Sequence, residues 1–308
     1  MNRVVQAHSK WLLEARTTSL VAPRIRRVAI IAFLLTALPV LARDSGPSPD
    51  LTIVHLTDLH LSSRSEGTGE TPWTHRFSIG GYKLHKKVLG RTPELLQQAV
   101  DAINRVIRPD VVVITGDIVD RSGDADAWDL AVAGINRIEA PVITVRGDHD
   151  SGGKGRVYRK HFGATTGEVR IEGYQFTRLG FRPDAQEIAE LEGALRRPVE
   201  ASPRIFCLHR MLIAPELMLQ LKKLYTGGGI LSPRREQILP VLNAVDEPVL
   251  VLCGHSHTNY EGREKNLHVL CTSSLAEYPH ELRVVEIRDG EVTSRVMPLS
   301  LFVRNDES

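Results

Sequence analysis

Asp and His recur in five short clusters along the 308 residues. Asp58 and His60 lie in TDLHL, Asp117 in TGDIVD, and Asp148, His149 and Asp150 in RGDHD. His209 lies in CLHR, and His255 and His257 in CGHSH. A lone Asp-x-His, or a Gly-Asp after a strand, is an ordinary capped turn. Five clusters in one register are not. Bringing about eight such side chains together without a cation costs several kcal/mol per uncompensated buried charge. A metal site removes that cost. Two divalent ions about 3.5–4 Å apart clamp the attacking and leaving oxygens of an in-line displacement. They also acidify a bridging water, so that hydroxide is available near neutral pH. A mixed nitrogen and oxygen ligand set suits Fe, Mn, Zn or Co rather than Ca or Mg.

Each cluster follows a short apolar or β-branched run: LTIVHL (51–56), VVVITG (111–116), VITVRG (142–147), RIFCLH (204–209) and VLVLCG (249–254). Two further runs, LHVLCT (267–272) and LRVVEI (282–287), complete the expected strands. Several are apolar throughout, the pattern of strands buried on both faces. Helical periodicity lies between them. Residues 95–107 place Leu95, Leu96, Ala99, Val100, Ile103, Val106 and Ile107 on one face, behind Thr92-Pro93. Residues 184–196 open with Asp184 and Glu187, a capping-box spacing. Ser232-Pro233 opens a helix expected to end near Val245. The alternation predicts a layered α/β domain whose sheets include antiparallel strands. Ligands in such sheets bind beyond the carboxyl ends of strands, where all five clusters sit. The glycines before Asp117, Asp148 and His255 are expected to let the chain turn sharply there.

The ordered set DxH…GD…GNH[DE]…H…GHxH resembles the fingerprint of the calcineurin-like metallophosphoesterase superfamily, from about residue 51 to 290. The run HLTDLHL is most similar to the cyclic-nucleotide phosphodiesterase and purple-acid-phosphatase-like branches. The resemblance implies a two-sheet β-sandwich flanked by helices, four α/β/β/α layers, with two metals at its edge. It assigns Asp58, His60 and His257 to one metal and Asp148, His209 and His255 to the other, with Asp117 bridging. It places His149 beside the metals to assist the leaving group, and Asp150 behind it to hold its ring. The implied activity is hydrolysis of phosphate mono- or diesters by metal-bound hydroxide. A metal-binding module of the same fold with little turnover is the rival reading.

One position departs from the pattern. Asp148 stands where the family has Asn. An amide binds metal through its oxygen and still donates N–H to a phosphate; an ionised carboxylate cannot donate. Arg210, beside His209, is a candidate phosphate contact. Cys207 and Cys253 each precede a candidate His ligand by two residues and read as small buried hydrophobes, with thiolate ligation the alternative. Segment 71–93 holds Arg76, Lys83, Lys86, Lys87 and Arg91 and no acid: a solvated loop, or a cap presenting cations to an anionic substrate. Gly227–Gly229 lacks the Lys-Ser/Thr of a nucleotide P-loop and reads as a flexible loop. Tyr278-Pro279-His280-Glu281 reads as a turn, with His280 a further candidate.

Composition agrees with an ordinary globular protein. Hydrophobic residues make up 42% and charged residues 25%, which excludes a disordered or collagen-like chain. Three cysteines cannot form a disulfide framework, and a formal charge of +2 carries no nucleic-acid-binding signal. Six of the 39 Lys and Arg, but one of the 37 Asp and Glu, fall within residues 1–42. Arg-Ile-Arg-Arg at 24–27 leads into an uncharged run, VAIIAFLLTALPVLA, that ends in small residues at 40–42. This matches an export signal, with a retained membrane anchor or a buried helix as alternatives. The run is shorter than the roughly 20 apolar residues of a membrane span. Residues 1–42 are therefore expected to be a signal or anchor that contacts the membrane, 43–50 a linker, 51–300 the phosphoesterase domain and 301–308 a tail. The expected partner is a small anionic phosphoester, met outside the cytoplasm.

Overall fold

The computed structural model describes residues 48–64, 78–79, 82–83, 87–220 and 229–302. The expected signal or anchor, most of the expected linker, most of the basic segment before Lys87, Gly227 and Gly228, and the tail from 303 lie outside the described residues. Among the described residues no helix is long and apolar enough to cross a membrane.

In chain order the strands are β1 (Leu51–Leu56), β2 (Ser78–Ile79), β3 (Tyr82–Lys83), β4 (Val111–Ile114), β5 (Val142–Thr144), β6 (Gly167–Ile171) and β7 (Tyr174–Leu179). There follow β8 (Arg204–Leu208), β9 (Val249–Cys253), β10 (Tyr260–Glu264), β11 (Leu267–Cys271), β12 (Glu281–Arg288) and β13 (Glu291–Pro298). One sheet has the order β13-β12-β1-β4-β5 and the other β10-β11-β9-β8-β7-β6, while β2 and β3 form a small hairpin. In the first sheet β1, β4 and β5 are parallel and β12 and β13 antiparallel. In the second, β7, β8, β9 and β11 are parallel between antiparallel edges β6 and β10.

The apolar strands are explained by burial on both faces. In β4, Val111 and Val113 point into a core between the sheets with Phe176, Cys207 and Leu252. Val112 and Ile114 point outward, under Leu95, Ala99 and Trp128 of the helices Thr92–Ala102 and Ala125–Ile135. The other sheet repeats this, with Phe206 and Val251 packed beneath Leu191, Ile238 and Leu242. The result is the expected four layers, helices outside two sheets.

Local signals set most element boundaries. Pro93 lies in the first turn of its helix. The expected continuous helix to 107 instead ends at Ala102 and passes into a π-turn over Ile103–Ile107, closed by left-handed Arg108. Asp184 and Glu187 form both bonds of the capping box, at 2.9 and 3.0 Å. The helix after Ser232-Pro233 spans Arg235–Asn243.

Candidate metal centre

The five clusters converge because the loops that carry them are stitched together. Asp58 N–H donates to Gly116 O, His60 N–H to Asp117 O and Leu61 N–H to Ile118 O, so the segments after β1 and β4 run side by side. Gly254 N–H donates to His209 O, joining the segments after β8 and β9. Gly116 has φ +100, a turn only glycine makes freely. Gly147 and Gly254 play a different part from the sharp turn expected: neither has positive φ. A Cβ on Gly147 would overlap the Asp117 carboxylate, and one on Gly254 would overlap Thr57 and Asp58. These two positions are small so that ligand side chains can lie against the backbone.

The backbone of the ligand residues is itself unusual. Asp58, His60, Asp117, His255 and His257 all have φ between +45 and +64. Non-glycine residues rarely adopt this region. Each such residue stores roughly 1–3 kcal/mol, which persists only where the surroundings enforce it, and such strain gathers at functional sites. Five in one cluster mark a geometry imposed by the fold.

Two groups hold the seven expected ligands, and a third, overlapping group brings His60, Asp120 and His149 together. Asp58, His60 and His257 bring one atom each within 4.8 Å of one another, and so do Asp117, Asp148, His209 and His255. In the first group His257 Nε2 is 3.1 Å from Asp58 Oδ1 and 3.4 Å from His60 Nε2. In the second, Asp148 Oδ1 is 3.0 Å from His209 Nε2 and 3.1 Å from His255 Nδ1, and the two imidazole nitrogens are 3.2 Å apart. Ligand atoms about 2.1 Å from one ion lie roughly 3.0–3.4 Å from each other, the spacing of these pairs, while Asp58 Oδ1 and His60 Nε2 stand wider apart at 3.8 Å. Asp117 Oδ2 faces both groups, 3.3 Å from His209 Nε2 and 3.8 Å from His60 Nε2. Asp58 Oδ1 is buried and lacks hydrogen-bond geometry to any donor, although His257 is within ion-pair distance. An orphaned carboxylate oxygen facing imidazole nitrogens fits a cation between them.

The outward atoms of these ligands are also held. His209 Nδ1 lies 2.7 Å from Thr115 O, and His257 Nδ1 2.6 Å from Glu277 Oε1. His60 Nδ1 faces Lys87 Nζ at 3.2 Å and Asp120 Oδ1 at 3.5 Å. Asp58 Oδ2 accepts from Thr57 Oγ1 and from His255 N–H, at 2.7 and 2.9 Å. Such partners fix ring orientation at metal sites.

Burial disfavours charge on every member, and the neighbours decide the outcome. His257 overcomes the burial of Asp58 and holds its carboxyl well below the usual range. His209 does so for Asp117, and hydrogen bonds with His209 and His255 do so for Asp148. Against burial, Asp117 and Asp148 raise His209, while Glu277 and Asp58 push His257 up to about 10. The carboxylates thus collect protons on His209 and His257, while burial lowers His60 and His255, and a divalent ion competes for the same nitrogen lone pairs.

His149 stands beside the first group, its ring 4.7 Å edge-on from that of His60. Its backbone N–H donates to Asp117 Oδ1 at 2.9 Å. The expectation that Asp150 holds this ring is corrected. Asp150 is wholly buried and accepts from the backbone N–H groups of Ile118, Val119 and Gly147, at 2.9–3.2 Å. Burial, then Asp117, pushes its carboxyl up to about 7. The ring is steadied instead by Asp120: His149 Nδ1 lies 2.5 Å from its carbonyl oxygen and 4.0 Å from its carboxylate. Asp120 could have been noticed as the second acid of TGDIVD. Glu277 carries no local signal, being joined to His257 across 20 residues of chain.

Arg210 comes within 3.5 Å of Asp148 Oδ2. Cys207 and Cys253 are buried core residues outside both ligand groups, and burial pushes the Cys207 thiol up to about 12. His280 is not drawn in; its Nδ1 lies 2.9 Å from Leu275 O. Lys87, the described end of the basic segment, also lies 3.3 Å from Asp120 Oδ1.

The model of the calcineurin-like phosphoesterase family matches residues 51–284, and the chain belongs to that family. Solved structures of the same fold include a dimetal phosphatase from Danio rerio, with TM-score 0.56 and 13% identity over 81% of this chain and 99% of that one. The purple acid phosphatase PPD1 from yellow lupin seeds has TM-score 0.57 and 15% identity over 82% of this chain and 52% of that one. GAP50, the anchor in the inner membrane complex of Plasmodium, has TM-score 0.50 and 12% identity over 81% and 85%. A comparison with curated protein sequences finds no match.

Proposed function

We propose that this chain is an exported phosphoesterase that hydrolyses small anionic phosphate mono- or diesters with two transition-metal ions. The observation that carries the reading is the pair of converging Asp/His groups joined at Asp117 Oδ2. Asp58, His60 and His257 would hold one ion and Asp148, His209 and His255 the other, with Asp117 reaching both; Fe, Mn, Zn and Co suit this set. Such a pair, when bound, acidifies water and neutralises phosphoryl oxygens. The likeness to the zebrafish dimetal phosphatase and the lupin purple acid phosphatase supports the same class.

The protein's own residues do the rest. Asp120 fixes the His149 ring through Nδ1, which leaves Nε2 for the substrate. His149 lies at the solvent side of the site, 37% exposed, where a departing alkoxide can collect a proton. Asp150 ties the Gly147 turn to the Ile118–Val119 segment and so fixes where Asp148 and His149 emerge. The basic cluster and apolar run at 24–42 support export, with cleavage near Arg43.

Purified protein supplied with Mn should turn over an aryl phosphomonoester, an aryl phosphodiester, or both. Two bound ions with no turnover on either would replace hydrolysis by the metal-binding reading. N-terminal sequencing of protein from the envelope fraction should find a start near Arg43; an intact N-terminus in the cytoplasmic fraction would contradict export.

A further inference from the structure

Asp148 uses its two oxygens differently. Oδ1 faces the second ligand group, 3.0 Å from His209 Nε2 and 3.1 Å from His255 Nδ1. Oδ2 lies 3.5 Å from Arg210 Nη2. An ionised carboxylate beside a phosphate site has no hydrogen to offer and repels an anion. The guanidinium is the nearest cation that answers it.

Arg210 is held in place by contacts that do not use up its donors. Nη1 donates to Gly229 O at 3.0 Å, and the guanidinium carbon lies 4.9 Å from the centre of the Phe181 ring. The backbone beyond it is pinned by Met211 N–H to Ile230 O and Ser232 N–H to Met211 O. Nε is buried with no hydrogen-bond partner, and the 3.5 Å approach to Asp148 satisfies charge without forming a hydrogen bond. A buried guanidinium N–H with no acceptor is unfavourable unless a ligand supplies one. Arg210 directly follows His209 in the chain, and the two line one small cleft with Phe181, Pro183 and Ser232.

We infer that Asp148 and Arg210 act as one neutral unit, in which Oδ1 serves the metal group and the Arg210 guanidinium, drawn in by Oδ2, binds the non-bridging oxygens of the substrate phosphoryl group. The inference rests on the phosphoesterase reading and adds a specificity-determining residue to it. The guanidinium presents a planar fork of donors that matches two phosphoryl oxygens, which a lysine ammonium does not. Removing the guanidinium alone leaves a bare carboxylate against the anion. Removing it after the carboxylate has become an amide leaves a donor in place.

The test is a double-mutant cycle on the metal-loaded protein, read by calorimetric binding of inorganic phosphate and by metal content. Arg210→Ala should weaken phosphate binding about tenfold or more, since it loses charged hydrogen bonds and exposes Asp148. In the Asp148→Asn background the same change should weaken it severalfold less, since the guanidinium contacts are lost but no bare carboxylate is left against the anion. Arg210→Lys, which keeps the charge, should fall between parent and Arg210→Ala. Metal content should stay near the parent's in both Arg210 variants. Equal losses from Arg210→Ala in the two backgrounds, or no loss in either, would overturn the paired role. A parent protein that takes up two metals but binds no phosphate would overturn the phosphoesterase reading and the inference with it.

Discussion

The two ligand groups sit side by side but meet solvent differently. Asp58 and His60 are wholly buried, and each inward ligand of their group has a partner on its outer side: Thr57 and the His255 N–H, Asp120 and Lys87, or Glu277. In the other group His209 and Asp117 are as deeply buried, but Asp148 is 26% exposed, against 15% for His257, the most exposed ligand of the first, and turns one oxygen to Arg210. The closed group reads as a rigid anchor and the open group as the side from which an anion approaches. Burial without water strengthens electrostatic attraction and fixes geometry. Partial exposure leaves room for a ligand that arrives and departs.

This contrast can be tested from either side, beginning with the residue that stands between anchor and solvent. His149→Ala should lower turnover by about 10²–10⁴-fold on an ester with a poor leaving group. The loss should shrink with an activated aryl leaving group, which needs little protonation, while metal content stays near the parent's. Equal losses on both substrates would remove the proton-donor role from His149. A smaller effect belongs to the anchor. Glu277→Ala strips the outer partner from His257 and should weaken one of the two metals by about 10–100-fold. A metal titration resolving two sites should show one shifted and one unchanged; two equal shifts would mean that the groups are not held separately.

The smallest effect lies beneath both groups. His55 is buried between Thr115 and Thr272, with each ring nitrogen 2.8 Å from a hydroxyl. Burial, then Arg283, lowers its pKa to about 3 against the pull of Asp58. The folded protein therefore keeps His55 neutral where the unfolded chain, titrating near 6.5, takes a proton. The stability this neutral ring contributes is complete above about pH 6.5 and is lost as pH falls toward 3. At pH 5 the loss is about 2 kcal/mol. His55→Gln should shrink the difference in urea-unfolding stability between pH 7 and pH 5 by about that amount. An unchanged difference would mean that His55 is charged in the fold.

What could be read in advance follows the range of the interactions. Strands buried on both faces announce themselves as apolar runs, unbroken in β4 and β9 and interrupted by one or two polar residues in β1, β8 and β11. The edge strands β10 and β13 do not. YEGRE and EVTSRVMP mix charge with apolar residues because one side of each meets water. The helix Gly152–Phe162 was hidden because it opens on GGKG, with Gly153, Lys154 and Gly155 all left-handed. At the site, Asp and His at strand ends were legible as residue types. Their supports were not: Glu277 reaches His257 and Thr115 reaches His209 only through tertiary structure. Asp120 takes the ring-holding role that sequence order suggests for Asp150, because backbone N–H groups capture the Asp150 carboxylate. Gly147 and Gly254 looked like turn residues and instead provide space for Asp117, Thr57 and Asp58.

One carboxylate is shared by the anchor and the open group. Asp117 Oδ2 lies 3.8 Å from His60 Nε2 and 3.3 Å from His209 Nε2, and its Oδ1 holds the backbone of His149. Elemental analysis of the purified parent and of Asp117→Ala, after equal exposure to Mn and removal of unbound ions, measures that sharing directly. The parent should carry close to two ions per chain, and the variant should lose occupancy at both sites. One ion in the parent, or two retained in the variant, would contradict a dinuclear centre joined at Asp117.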